Sequence, residues 1–453
     1  MPKRPLHEEK KVSETEDKRK RVRRRPSEDV IWVADPQVEE RKMPEPPIKL
    51  TKSETNFFKT LTSDLQDDLI IKMEKFKLYN SHETEYPLRL RILSLPISEY
   101  VKSSVIKKIS FLDEEGSDSF KLRNWVDAFL KIPFGKTIPL PVTIKSGKDE
   151  CSKFLRDSRK YLDDAVYGMV PAKTQIMQVL AQWVTNPESI GNVIALHGPA
   201  GVGKTSIAKL GLSRALRRPF QFFSLGGASD ISNYVGHSFT YEGSTWGRIV
   251  DSLMQHKCSN PIMYFDELDK ISGTPHGEEI ASMLIHLTDR TQNSHFHDRY
   301  FAGIDIDLSQ CLFVFSFNDI NLVNPILRDR MQVVHCGGYS ESEKQIILKD
   351  YVWPSLLKNL KFTDEELILN SDCCKFMVRE FSSKEQGIRT LIRCAETIIT
   401  RLNILKIADE ETTKDYKFFI KIVYPLQLNE IIIKKLMTGI EYREHEPWKS
   451  MYT

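Results

Sequence analysis

Beyond residue 53, apolar positions first recur at helical spacing. Leu61, Leu65, Leu69, Met73 and Phe76 fall three or four residues apart and line one helix face. A second patterned run, 122–130, stops at Ile132-Pro133-Phe134-Gly135, a breaker sequence. Residues 53–150 therefore predict a mainly helical segment that closes in a Pro-, Gly- and Lys-rich linker over 136–150. From about 151 the pattern changes. Short apolar runs at 192–197, 220–225, 262–266, 312–317 and 332–335 lack strict alternation, as expected of strands buried on both faces. Helical stretches separate most of them, which predicts an α/β core with a five-stranded parallel sheet and helices on either side. After about 340 the strands are expected to stop, and 341–358, 364–381, 387–407 and 426–437 read as helices.

The chain has 453 residues, which suits roughly three structural units. Its formal net charge is +3, and residues 1–50 alone hold 14 Lys/Arg against 11 Asp/Glu. The rest is balanced, so a body-wide basic surface for nucleic acid is not supported, whereas a local basic tail over 1–52 is. Within that tail, residues 18–25 carry seven basic side chains in eight positions. They read as a nuclear-import address, as a nucleic-acid tether, or plainly as a solvated charge run. No apolar stretch approaches the length of a membrane span, so no membrane partner is expected. The first residues resemble neither a secretory signal nor a transit peptide. Seven cysteines, an odd number with no Cys-x-x-Cys pair, point to idle thiols in a reducing compartment, the nucleus or cytoplasm. His286, His295 and His297 cluster without a further ligand at zinc-like spacing and read as loop histidines.

The chemistry concentrates further along. Gly198, Pro199, Ala200, Gly201, Val202, Gly203, Lys204 and Thr205 fit the phosphate-loop pattern between an apolar run and an amphipathic helix. Glycines let successive backbone N–H groups turn toward phosphates, lysine adds a point charge, and the threonine hydroxyl ligates Mg²⁺. The helix that follows brings its positive end to the anion. Sixty-two residues after that lysine, the run 262–265 ends in Asp266-Glu267. Two carboxylates are thus placed at the carboxyl edge of a parallel sheet, where open α/β folds bind ligands. Asp266 is expected to hold the metal and Glu267 to polarise the attacking water.

Asn318 ends a further apolar run, Arg330 follows in Asp329-Arg330-Met331, and Gly387-Ile388-Arg389 opens a helix. The order Lys204, Asp266-Glu267, Asn318, Arg330, Arg389 resembles the ATPase module of the AAA+ superfamily. The segments 198–209, Gly236-His237, 266–271, Gln292-Asn293 and Gly338-Tyr339 are similar, more narrowly, to the ATPase part of the Lon proteases. The resemblance implies an AAA+ P-loop core over 151–338, a small helical lid with a C-terminal extension over 339–442, and a tail over 443–453. It implies ATP and Mg²⁺ as cofactors, with Tyr167 and Gly168 near the adenine and Asn318 as the residue that orients the water. Arg389 would contact phosphate from the lid. Arg330 would enter the neighbouring subunit's site, with Arg328 as the alternative, and a finger given in trans implies a homo-oligomeric ring, most simply a hexamer.

The chain departs from that family at two places. Where Lon places a tyrosine and an apolar residue to grip an unfolded chain, this sequence reads Tyr241-Glu242, with Trp246 nearby. Lon also continues into a Ser-Lys peptidase, whereas this chain ends at Thr453, near the expected start of that domain, and lacks room for Lon's N-terminal substrate domain. The expectation is a ring-forming, ATP-hydrolysing motor that remodels or translocates protein and is not a protease on its own. Two alternatives stay open: a nucleic-acid-associated ATPase working through residues 18–25, and a nucleotide-gated scaffold with negligible turnover.

Overall fold

A computed structural model describes residues 46–48, 50–80, 87–110, 119–187, 193–228, 230–363 and 365–440. The basic segment 18–25 and the tail 443–453 lie outside the described residues. The chain divides into two units, 1–85 and 86–453.

In the first unit, helices α1 (Lys52–Thr60) and α2 (Ser63–Asn80) follow one another. Thr51 and Glu54 cap α1 reciprocally: Glu54 N donates to Thr51 Oγ1 at 3.3 Å and Thr51 N to Glu54 Oε2 at 2.7 Å. The single helix face expected from Leu61 onward is corrected here. The chain breaks at Leu61-Thr62, and Gln66 Nε2 spans the break by donating to Phe58 O and Leu61 O. Short polar side chains at 62–64 favour a turn and a fresh start over helix continuation. Leu65 is exposed, Leu69 and Met73 are half-buried, and the side chain of Phe76 lies outside the described residues.

The second unit is built on strands β1 (Val193–His197), β2 (Phe220–Ser224), β3 (Ile262–Asp266), β4 (Leu312–Phe317) and β5 (Met331–His335). They form one sheet in the order β2-β3-β4-β1-β5, and every pairing is parallel. Alternation assigns the side chains. Ile262, Tyr264, Leu312 and Val314 pack on one face with Leu162, Ile176, Ile207 and Leu212. Met263, Phe265, Phe313 and Phe315 pack on the other, with Phe223, Phe265 and Phe315 stacked across strands at centroid distances of 4.8 and 5.2 Å.

Helices α3 (Leu88–Leu93), α4 (Glu99–Ser110) and α5 (Ser119–Phe129) put Ile92, Val105, Trp125 and Phe129 into that second layer. Trp125 Nε1 donates to Tyr300 O at 3.0 Å, so the indole's polar atom is satisfied where the ring is buried. The expected linker 136–150 is partly tied down, since Asn260 exchanges two hydrogen bonds with the backbone of Ile138, and a helix already begins at Lys148.

A third apolar cluster gathers helices Ser371–Phe381, Arg389–Ile407 and Glu430–Leu436 with the C-terminal half of 341–359. The expectation that strands stop after 340 is corrected. Leu367–Ile368 and Leu426–Gln427 pair in parallel, extended by Leu426 N donating to Glu366 O and Leu428 N to Ile368 O. The helices expected from 364 and 426 therefore start later, at Ser371 and Glu430. All seven cysteines are free, and Cys373 and Cys374 are buried in this cluster. Among the described residues no helix is long and apolar enough to cross a membrane.

Candidate functional site

The loop after β1 is a cradle that side chains cannot enter. Gly201 and Gly203 take φ of +77° and +101°, in the left-handed region. A Cβ at Gly198 would stand 2.0 Å from Cys336 O, and one at Gly203 2.8 Å from Val166 Cγ2. Lys204 is buried at the end of the loop. Its ammonium donates to Gly198 O at 2.5 Å, Pro199 O at 3.0 Å and Asn318 Oδ1 at 2.6 Å, all neutral oxygens. Burial pulls its pKa below the usual lysine value. The loop thus offers glycine-shaped space and an ammonium with no direct carboxylate partner among the described residues, which suits an incoming polyanion.

The loop opens into a cleft of about 940 Å³ lined also by Tyr167, Thr205, Asp266, Glu267, Asn318 and Arg389. Asp266 ends β3, and its Oδ1 accepts from Ser316 Oγ on β4 and from the Tyr264 hydroxyl at 3.4 Å. Glu267 follows with φ +60° and ψ +46°, a conformation costly for a residue with a Cβ. Its carboxylate occupies the space beside Gly226, where a Cβ would lie 1.9 Å from Glu267 Oε2. Asn318 is set by its backbone: the N–H groups of Asn318 and Asp319 both donate to Asp269 Oδ2 at 3.1 Å.

The far wall is contributed by the helical region after 340. Arg389 opens helix Arg389–Ile407, and Glu385 receives the exposed N–H groups of Arg389 and Thr390 at 3.1 and 2.9 Å. Ile388 N donates to Gly201 O at 3.2 Å, Tyr339 N to Gln386 O at 2.9 Å and the Tyr339 hydroxyl to Val202 O at 2.8 Å. A Cβ at Gly387 would stand 2.1 Å from Ala200 O. Buried Lys344 completes the junction by donating to Ser382 O at 2.7 Å and to Glu385 O.

Residues 194–338 match the ATPase family associated with various cellular activities (AAA). The chain is 34% identical over 342 residues to a Lon protease homolog of Acanthamoeba polyphaga mimivirus, covering 74% of this chain and 33% of that protein. It is 32% identical over 324 residues to the mitochondrial Lon protease homolog of Caenorhabditis elegans, covering 71% and 32%. It is 32% identical over 320 residues to the Lon protease of Helicobacter pylori strain J99, covering 68% and 37%. This chain carries a Lon-like AAA+ ATPase module. It spans about a third of the length of these relatives. None of their names supports a nuclear address.

The Lon-like module's cleft fits ATP and Mg²⁺: the cradle would take the phosphates, and Thr205 and Asp266 supply a hydroxyl and a carboxylate, hard oxygen donors suited to Mg²⁺. Tyr167 lines the same cleft, its ring 5.9 Å from that of Tyr351, whereas Gly168, with φ +64°, is not among the residues lining it.

Other expected residues fall elsewhere in the module. Arg330 follows helix Pro325–Asp329 outside the cleft lining, and its Nη1 pairs with Asp289 Oδ2 at 2.7 Å. Hydrogen bonds from Thr291 and from Arg330 hold the Asp289 carboxyl well below the usual range. Arg328 is exposed. Tyr241 and Glu242 are exposed at a loop tip whose backbone is braced by Lys121 Nζ, 3.0 Å from Tyr241 O. Trp246, expected to share in gripping, is engaged within the fold: its Nε1 donates to Asp251 Oδ1 at 3.0 Å and its ring packs on Tyr300 and Phe301. Beneath that loop, fully buried Asp298 accepts from Gly247 N and Tyr300 N, both at 2.8 Å, and burial pushes its pKa up to about 6. His295 and His297 both contact Asp305, and among the described residues no group of three His, Cys, Asp or Glu can hold a metal.

Sequence reading missed Tyr264, Ser316, Asp269, Glu385 and Asp289. Asp269 sits in the Asp-Glu-Leu-Asp run, so its spacing from Asp266 was the available signal. The others are recognised only by what lies across from them in the fold.

Proposed function

We propose that this chain is an ATP-hydrolysing motor that assembles as a ring, most simply a hexamer, and uses ATP to remodel or translocate protein. One observation carries the reading: a single cleft gathers Lys204, Thr205, Asp266, Glu267, Asn318 and Arg389, while Arg330 stands outside it. Lys204 and the loop amides would hold the phosphates, and Asn318 and Glu267 would orient and polarise the attacking water. Bound Mg²⁺ would draw charge from the phosphate oxygens as the bond to the leaving group breaks. Arg330 has no place in its own cleft, so its charge is read as serving the cleft of a neighbouring copy. The pore is assigned to Tyr241 and Glu242, and protein is favoured as the cargo because the Lon-like relatives are named proteases.

Glu267→Gln should bind ATP and lose turnover by about 100-fold or more. Arg330→Ala should lose about 1,000-fold. Mixing the two inactive variants should restore part of the rate, because some interfaces then join an intact Glu267 to an intact Arg330. No recovery on mixing contradicts a finger in trans. Stimulation of the wild-type rate by unfolded protein and not by DNA favours the protein-moving reading, and the reverse favours the nucleic-acid alternative. An import role for residues 18–25 rests on their charge alone, and relocation of a reporter fused to 1–50 tests it.

A further inference from the structure

One polar group, buried behind the residues that line the cleft, has no part in the roles above. Tyr264 lies two residues before Asp266 on β3, so both side chains leave the same face of the sheet. The ring is fully buried, with Phe220 and Phe222 beside it at centroid distances of 5.5 and 5.8 Å. Its hydroxyl comes within 3.1 Å of Thr205 Oγ1 and 3.4 Å of Asp266 Oδ1. Ser316, from the adjacent strand, donates to that same Asp266 oxygen. The two side chains read as metal-holding thus meet at one phenol.

We propose that Tyr264, seconded by Ser316, is a positioning residue for the divalent cation. The inference rests on the reading of Thr205 and Asp266 as the groups that hold it. A phenol has one proton to give and lone pairs to receive another. Donating to Asp266, it fixes the carboxylate's rotation and leaves Oδ2 free for the metal side. Accepting from Thr205, it turns the threonine proton inward, so that an oxygen lone pair faces the phosphates. The hydroxyl is cut off from water and needs these partners for its own sake. Its neighbours leave the ring little room to swing aside. The cost of arranging two ligands is therefore met during folding and not on binding. Outer partners of metal ligands elsewhere are worth about 10–100-fold in metal affinity.

Tyr264→Phe keeps the ring and deletes both hydrogen bonds. The test uses the full chain and a fluorescent ADP, titrated first in EDTA and then with rising Mg²⁺. Binding of Mn²⁺ with ADP, followed by electron paramagnetic resonance, gives a readout independent of turnover. The expected result is wild-type ADP affinity in EDTA, with the Mg²⁺ concentration for half-maximal tightening raised about 10–100-fold and Mn²⁺ affinity lowered to match. Ser316→Ala should shift both in the same direction by less. A wild-type Mg²⁺ midpoint in Tyr264→Phe overturns the proposal. So does an equal loss of ADP affinity in EDTA, which is the mark of mere packing. Should Tyr264→Phe not fold, a wild-type midpoint in Ser316→Ala overturns it instead. Wild-type protein that binds no ADP removes the reading of the cleft itself, and the proposal falls with it.

Discussion

Asp269 is buried at 5% exposure, yet it lines no part of the cleft. One of its oxygens receives the backbone of Asn318 and Asp319, and the other, Oδ1, is buried without a partner among the described residues. Such a group acts by holding others. Asp269→Ala would leave two amides unanswered, at about 1–3 kcal/mol each, and would free Asn318 to wander. A lower melting temperature, near-normal ATP binding and a depressed hydrolysis rate are the expected outcome, read by calorimetry and a phosphate-release assay. Asp298 is a residue-scale pH device. Its folded pKa of about 6 lies above the ordinary aspartate value near 3.9, so the native state takes up this proton before the unfolded chain does. Its ionised form costs stability above about pH 6, and that cost is relieved as pH falls toward about 4. The difference in unfolding free energy between wild type and Asp298→Asn should therefore shift in favour of wild type across that window and stay flat above about pH 7. A flat difference from 4 to 8 contradicts the assignment. Lys204, Asp266 and Glu267 were legible in the sequence because contiguous backbone carries their roles. The bonds joining Thr205 to Tyr264 and Asn318 to Asp269 span 59 and 49 residues, and only strand register brings such partners together.

At the scale of elements, burial on both faces made the inner strands β1, β3 and β4 readable as apolar runs, while the edge strands β2 and β5, interrupted by Gln221 and Gln332, carry a fainter version of the same signal. The two-residue strands at 367 and 426 were not readable, because a pattern of period two needs more length to differ from the first turn of a helix. The helix at 341 begins with another reciprocal cap: Glu343 N donates to Ser340 Oγ at 3.3 Å and Ser340 N to Glu343 Oε2 at 2.9 Å. It stands where the sheet region hands over to the helical region after 340. Ser340→Ala should cost about 1 kcal/mol in urea unfolding. Phe315 is a stronger test of the sheet. It is fully buried against Phe265, and Phe315→Ala should cost about 3–5 kcal/mol by the same measurement.

At the scale of the molecule, the informative feature is where Arg330 rests. In a single chain it pairs with an acidic partner, Asp289, and stands outside the phosphate cleft. If catalysis needs that guanidinium from a neighbour, turnover per chain should rise with protein concentration and level off as rings fill. Sedimentation of the same samples should show the two curves rising together, and a specific rate independent of concentration contradicts the arrangement. No sequence pattern announces such a residue's resting partner, because Asp289 lies 41 residues before Arg330 and outside the motifs of the phosphate site.

The contact between the helical region after 340 and the phosphate loop is made largely by main-chain atoms: Ile388 N on Gly201 O and Gly387 lying flat against Ala200 O, joined by the Tyr339 hydroxyl on Val202 O. Every amino acid except proline carries the same N–H and C=O, so side chains along the seam are free to vary without loosening the latch. In a library of all substitutions across 383–390, intolerance should collapse onto Gly387 and onto Glu385 and Arg389. The latch is written almost invisibly, in an alphabet that nearly every residue shares.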